Sequence, residues 1–273
     1  MTEANISNLS NTVPTLPKVM SVKTFNRIYG GHDTLGGVYK LHQKIIAEFL
    51  ATMLFVFGVI SSSYYNPTCP ALSALGCACI GGVMIYIFGR VSGAHFNPAI
   101  SLALFLRQKL SAMELGLYIA AQIVGSFIAC LLFVLVRRGK FNIMMGTEIG
   151  SAMYDPDDLE KDGWSYVGAL IMEIILTFIL IMFILASCER DNYLGPSLGL
   201  AFAATILACA AIGGNVSGAS MNPARSIAPA FIQLLMVNIK IQLNKFGFIS
   251  SDLLLVLLLL PLFGLYSFFI KRS

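Results

Sequence analysis

Apolar residues run in long blocks separated by short polar punctuation. Six blocks, near 41–63, 71–91, 110–136, 166–188, 195–214 and 250–270, approach or exceed the roughly 20 residues a helix needs to cross a hydrocarbon core. The pattern predicts six membrane-spanning helices, with both chain ends on one side. Two further apolar stretches, 98–106 and 223–235, are too short or too interrupted to span. Both open on the same box, Asn97-Pro98-Ala99 and Asn222-Pro223-Ala224. Asn favours the N-cap and Pro the first helical position, so each box reads as a helix start. Short helices of this kind suit re-entrant half-helices, tolerated at membrane depth only where they line a cavity.

The boxes stand 125 residues apart, and at the same displacement Ser92-Gly93-Ala94-His95 is echoed by Ser217-Gly218-Ala219-Ser220. Ala47-Glu48-Phe49-Leu50-Ala51-Thr52 is likewise echoed by Met172-Glu173-Ile174-Ile175-Leu176-Thr177. One chain therefore holds two copies of one unit, about 41–136 and 166–270. The offset encloses an odd number of spans, so the second copy enters the membrane from the opposite side, as an inverted repeat. The half-helices then meet N-terminus to N-terminus near the midplane. Gln122 to Gly125 and Pro261 to Gly264 share a spacing at a larger offset of 139, which places an insertion at 236–249.

With 57% hydrophobic and 12% charged residues, the chain has too little polar surface for a soluble globule of this length. A net charge of +4 from scattered basic residues leaves no nucleic-acid footprint. Residues 1–40 are polar, contain Lys18, Lys23 and Arg27, and lack an apolar signal run, so they read as a loosely ordered tail. By the positive-inside rule this tail and the short 271–273 end, with Lys271-Arg272, are cytoplasmic. The segment 41–270 is the membrane domain. The cysteines lie mostly in apolar segments, and Cys77-Ala78-Cys79 has no zinc spacing. No catalytic triad, paired carboxylates or metal-ligand set stands out, so neither an enzyme nor a cofactor is expected.

The duplicated boxes, Ser-Gly-Ala-His before the first, Asn-Pro-Ala-Arg-Ser at the second and a Glu in the first span of each half resemble the aquaporin, or major intrinsic protein, family. A single Asn-Pro-Ala would mean little, but two at the repeat offset beside further echoes are specific. The resemblance covers about 41–270. It implies an all-α membrane protein of six tilted helices plus two half-helices around one pore per subunit, assembled as a homotetramer. Val83-Met84-Ile85-Tyr86 and 216–226 also resemble plant nodulin-26-like members.

Each half-helix presents about half a positive charge at its N-terminus, so two meeting there oppose cations. Asn97 and Asn222, their oxygens used in capping, would offer amide N–H groups to a passing water and break the wire along which protons hop. Arg225 sits in an apolar context where an ionised side chain costs about 2.5–3.5 kcal/mol, which argues for a functional role. The resemblance places it in the outer constriction. Counting from the boxes puts Cys77, Ala210 and Ala219 beside it, small residues where water-selective members carry an aromatic and a histidine at the first two positions. Ser226 and Ala230 look instead like the water-channel branch. Carbonyls of Gly93, Ala94, His95, Ser217, Gly218 and Ala219, on a strand-like approach to each box, are expected to face the channel, and His95 reads as a pore-lining or structural histidine.

Buried Glu48 and Glu173 could mark a proton relay, but the resemblance implies that they accept hydrogen bonds from the loops before the boxes. The expected function is a passive channel for water and small uncharged solutes such as glycerol, urea or metalloid acids, excluding protons and ions. The plasma membrane is the expected site. A proton-coupled secondary transporter is the alternative, since inverted repeats and broken helices occur there too. It would need a titratable group beside the solute, whereas the midplane pair here is two amides.

Overall fold

The computed structural model describes residues 39–66, 68–137, 164–188 and 197–236. The tail, most of the loop at 137–165, the insertion after 236 and the sixth apolar run at 250–270 lie outside them. Every element described is helical: α1 Leu41–Tyr65, α2 Pro70–Ser92, α3 Pro98–Leu106, α4 Ala112–Val136, α5 Trp164–Ser187, α6 Leu198–Ser217 and α7 Pro223–Met236. Five of them, α1, α2, α4, α5 and α6, are long and apolar enough to cross a membrane. The two short helices, α3 and α7, begin at the prolines of the two boxes.

Polarity is arranged inside out. Leu72, Val83, Ile87, Val124, Leu131, Leu135 and Ile171 are exposed, while Glu48, Thr52, Ser92, Gln122, Ser126, Glu173 and Thr177 are buried. In hydrocarbon this lowers the energy, because polar side chains find partners only inside the bundle. On α1 the buried positions Ala47, Glu48, Ala51, Thr52, Phe55, Val56, Val59 and Ile60 recur at helical spacing and form one stripe.

That stripe packs against α2 and α4, while α2 packs on α6, α6 on α5, and α4 on α7. Close approach depends on glycine: a Cβ at Gly125 would lie 2.5 Å from Phe49 O, and one at Gly82 would lie 2.6 Å from Gly199 O. Small residues let membrane helices approach where lipid supplies no hydrophobic drive between them. The ends of α1 and α4 are also fastened together. Ser111 and Glu114 form a capping box on α4, Glu114 pairs with Lys44 of α1 at 3.1 Å, and Arg137 stacks over Tyr64 at 3.9 Å.

α6 overruns its expected end near 214. Gly213-Gly214 does not break it, because Gly213 sits flush against Leu176 and Met172 of α5. The stop comes at Gly218, φ 83°, whose N–H closes on Gly214 O at 3.1 Å. α2 ends in the same way at Gly93, φ 92°, with its N–H on Gly89 O at 3.0 Å. A left-handed residue after the last turn is the usual glycine cap.

Candidate functional site

Each asparagine of the boxes works in two directions. Asn97 Oδ1 accepts the Ala99 N–H at 2.9 Å and so caps α3; Asn222 Oδ1 accepts the Ala224 N–H at 3.0 Å and caps α7. Their amide nitrogens cross over: Asn97 Nδ2 donates to Met221 O at 2.8 Å, and Asn222 Nδ2 to Phe96 O at 2.9 Å. The half-helices are thus locked nose to nose by two reciprocal bonds, both asparagines nearly fully buried. An amide nitrogen has two N–H groups. One of each is used in the crossing, so each asparagine brings one further N–H to the junction.

The segments before the boxes are not strand-like. Gly93, Ala94 and Phe96 have φ of 92°, 48° and 34°; Gly218, Ala219 and Met221 have 83°, 44° and 49°. Ser217, expected in the approach, is instead the last residue of α6. Non-glycine residues in the left-handed region are strained, and the same strain recurs at the repeat offset. Its reason is visible in the N–H groups. His95 N and Phe96 N converge on the two oxygens of Glu48 at 2.9 and 2.8 Å, and Ser220 N and Met221 N converge on Glu173 at 2.9 and 2.8 Å. Successive N–H groups turned to one side make a concave anion site, here filled by a carboxylate from the first span of each half.

Side chains complete the first cradle. Glu48 also accepts from Ser92 Oγ at 2.6 Å and Gln122 Nε2 at 2.8 Å, so all four groups around it are donors. Gln122 Nε2 also donates to Ser101 Oγ, 2.9 Å away, which contacts His95 Nδ1 at 3.0 Å. His95 is thereby held in a polar network, with the Tyr118 ring edge-on at 5.2 Å. In the second half Ser220 and Ser226 occupy the equivalent positions and their hydroxyls touch. One residue of α4 crosses between the halves: Ser126 Oγ donates to Ala224 O at 2.6 Å.

Arg225 follows that tethered carbonyl. It is 8% exposed, its N–H leans on Asn222 Oδ1 at 3.4 Å, and its Nη1 has no hydrogen-bond partner. The Cys77 thiol of α2 lies 4.0 Å from Val59 O of α1. Ala219 and Ala210 are half-buried, on the second loop and on α6. Cys209, next to Ala210, is fully buried and its thiol meets Leu176 O of α5 at 4.0 Å. Ala230, on α7, is buried. Among the described residues no cluster of His, Cys, Asp and Glu is placed to hold a metal.

Gln122, Ser126, Ser92 and Ser101 escaped the sequence reading as site residues. Gln122 and Ser126 carried a usable signal, as polar residues four apart within an apolar run, which puts them on one helical face. Ser126 could not have been matched to Ala224, because nothing local in the sequence links residues that distant.

The sequence profile described as major intrinsic protein matches residues 38–264. The chain is 33% identical over 200 residues to nodulin-26 of Glycine max, covering 70% of this chain and 67% of that protein. It is 38% identical over 196 residues to aquaporin NIP1-1 of Zea mays, covering 70% and 64%. It thus spans about two thirds of the length of these relatives. Among solved structures, the aquaglyceroporin from Plasmodium falciparum superposes with a TM-score of 0.68 at 19% identity, covering 81% of this chain and 95% of that one, a likeness of fold.

Proposed function

The chain belongs to the major intrinsic protein family, a family of multi-pass membrane channels for water and small solutes, and from that premise we propose that it forms a passive pore for water and small uncharged solutes that excludes protons and ions. The observation that carries this reading is the junction itself: two half-helix N-termini held together by the crossed Asn97 and Asn222 bonds. Two positive helix ends oppose a cation, and the remaining asparagine N–H groups orient a water by its oxygen. Selectivity in such pores comes down to diameter, lining hydrogen-bond groups and an electrostatic barrier. Here the barrier is Arg225, and the constriction around it is Cys77, Ala210 and Ala219, wide enough for glycerol, urea or a metalloid acid.

The hydrogen-bonding of Glu48 weighs against the coupled transporter. A relay carboxylate must trade protons, whereas Glu48 accepts from four donors at once and Glu173 from two loop N–H groups. The protein works as a homotetramer of separate pores in the plasma membrane, with cytoplasmic termini. Stopped-flow swelling of proteoliposomes tests the solute range. Rapid water flux with glycerol, urea and boric acid also entering is expected; water flux with none of the three entering would contradict the wide constriction.

A further inference from the structure

Four hydroxyls of the long helices, on Thr52, Ser187, Thr205 and Ser217, each donate to the carbonyl four residues back in their own helix, a common arrangement for a hydroxyl inside a helix. Ser126, fully buried on α4, instead donates to Ala224 O of α7 at 2.6 Å. The sequence does not repeat this hydroxyl. At the offset of 139 that aligns α4 with the last apolar run, the residue matching Ser126 is Leu265. At the offset of 125 the residue matching Arg225 is Ile100. The hydroxyl therefore serves the one box of the two that carries a charge.

What that bond fixes follows from the peptide it joins. Ala224 O and Arg225 N belong to one planar unit, so a hydrogen bond on the carbonyl sets the plane from which the Arg225 side chain departs. Other constraints on Arg225 are weak. Its N–H reaches Asn222 Oδ1 at 3.4 Å, and its Nη1 has no hydrogen-bond partner. Its carbonyl meets no helical donor, because Pro229, four residues on inside α7, has no N–H; at the matching position α3 has Leu104, which keeps one. Beyond the proline α4 holds α7 again, with the Phe127 and Phe231 rings edge-on at 5.6 Å. Ser126 is thus the grip of α4 on the turn of α7 that bears the arginine. We propose that Ser126 is a positioning residue for the constriction, fixing where the Arg225 guanidinium stands and so how strictly the pore rejects cations and larger solutes. This rests on the reading of Arg225 as the barrier of a passive pore.

The test is a mutant cycle on the full-length protein in liposomes: wild type, Ser126→Ala, Arg225→Val and both changes together. Ser126→Ala is expected to raise the potassium leak and the glycerol-to-water flux ratio each about fivefold, the factor that one ordinary hydrogen bond corresponds to, while water flux stays within about twofold. On the Arg225→Val background the same change should add nothing, because residues acting through one another are not additive. Ser126→Cys, whose thiol is a weak donor, should fall between wild type and Ser126→Ala, and stands in for the latter should it not fold. Phe127→Leu loosens the same helix pair beyond Pro229 and should lower the melting temperature with both readouts unchanged. Were Arg225→Val itself to keep potassium out, the barrier reading would fail, and the flux ratio would still judge the tether through the same cycle. Wild-type leak and ratio in Ser126→Ala would overturn the proposal. So would an equal rise on the Arg225→Val background, or an equal effect from Phe127→Leu, either of which would reduce Ser126 to general packing between α4 and α7.

Discussion

The two loops that carry the boxes share a backbone and differ in what holds them. Gly93, Ala94 and Phe96 match Gly218, Ala219 and Met221 in their left-handed turns, and each loop turns two N–H groups onto its glutamate. Around Glu48 the cradle is then completed by Ser92 and Gln122. Glu173 accepts from its two loop N–H groups, while the Ser217 hydroxyl, the counterpart of Ser92, reaches Gly213 O at 3.4 Å instead. The second loop, which bears Arg225, is held from outside its own half by Ser126. Repetition of the sequence thus preserved what the backbone must do, while the bracing was left to side chains free to differ. α4 serves both loops from one face, with Gln122 reaching the first and Ser126 the second.

Removing the carboxylates should separate the halves most sharply. Glu48→Ala strands four donors, and a buried donor left unmade costs about 1–3 kcal/mol, so a loss of at least about 4 kcal/mol is expected, with little folded protein recovered. Glu173→Ala strands at least the two loop donors and is expected to cost about 2 kcal/mol or more. Melting in detergent measures both, and a negligible loss in either variant would remove that carboxylate from the support of its loop. Arg225→Val acts on function rather than stability. Loss of a fixed charge in a low-dielectric pore should raise cation leak about tenfold or more, read as dissipation of a potassium gradient; unchanged exclusion would remove Arg225 from the barrier.

The α4 braces should grade by what they hold. Gln122→Leu loses a bond to a carboxylate and is expected to cost about 2 kcal/mol, while Ser126→Ala loses a single neutral bond worth about 1 kcal/mol. If the order were reversed, the cross-half tether would be the stronger support. Cys77→Ser should leave uninhibited water flux unchanged and abolish block by mercurials, since Cys77 is half-exposed and Cys209 is sealed against α5. Block that persisted in this variant would place the reactive thiol elsewhere.

Much of the fold was legible because bilayer thickness and backbone capping act locally. Run length marked α1, α2, α4, α5 and α6, and Asn-Pro marked the starts of α3 and α7. The 125-residue echo marked the opposed halves. The left-handed approach to the boxes was not legible, because Ala94, Phe96, Ala219 and Met221 are ordinary residues forced into that region by the distant carboxylates they serve. Nor did the sequence show that Asn97 and Asn222 each give one N–H to the opposite loop. Those bonds join residues 124 and 126 apart and exist only once the half-helices meet.

The central claim is that the joined half-helices pass neutral molecules and stop protons. It is tested most directly by measuring water flux and proton leak on the same proteoliposomes, with a pH-sensitive dye inside and a potassium diffusion potential across the membrane. The account predicts fast protein-dependent water flux with a proton leak no greater than that of empty liposomes. A protein-dependent proton current comparable to the solute flux would contradict it.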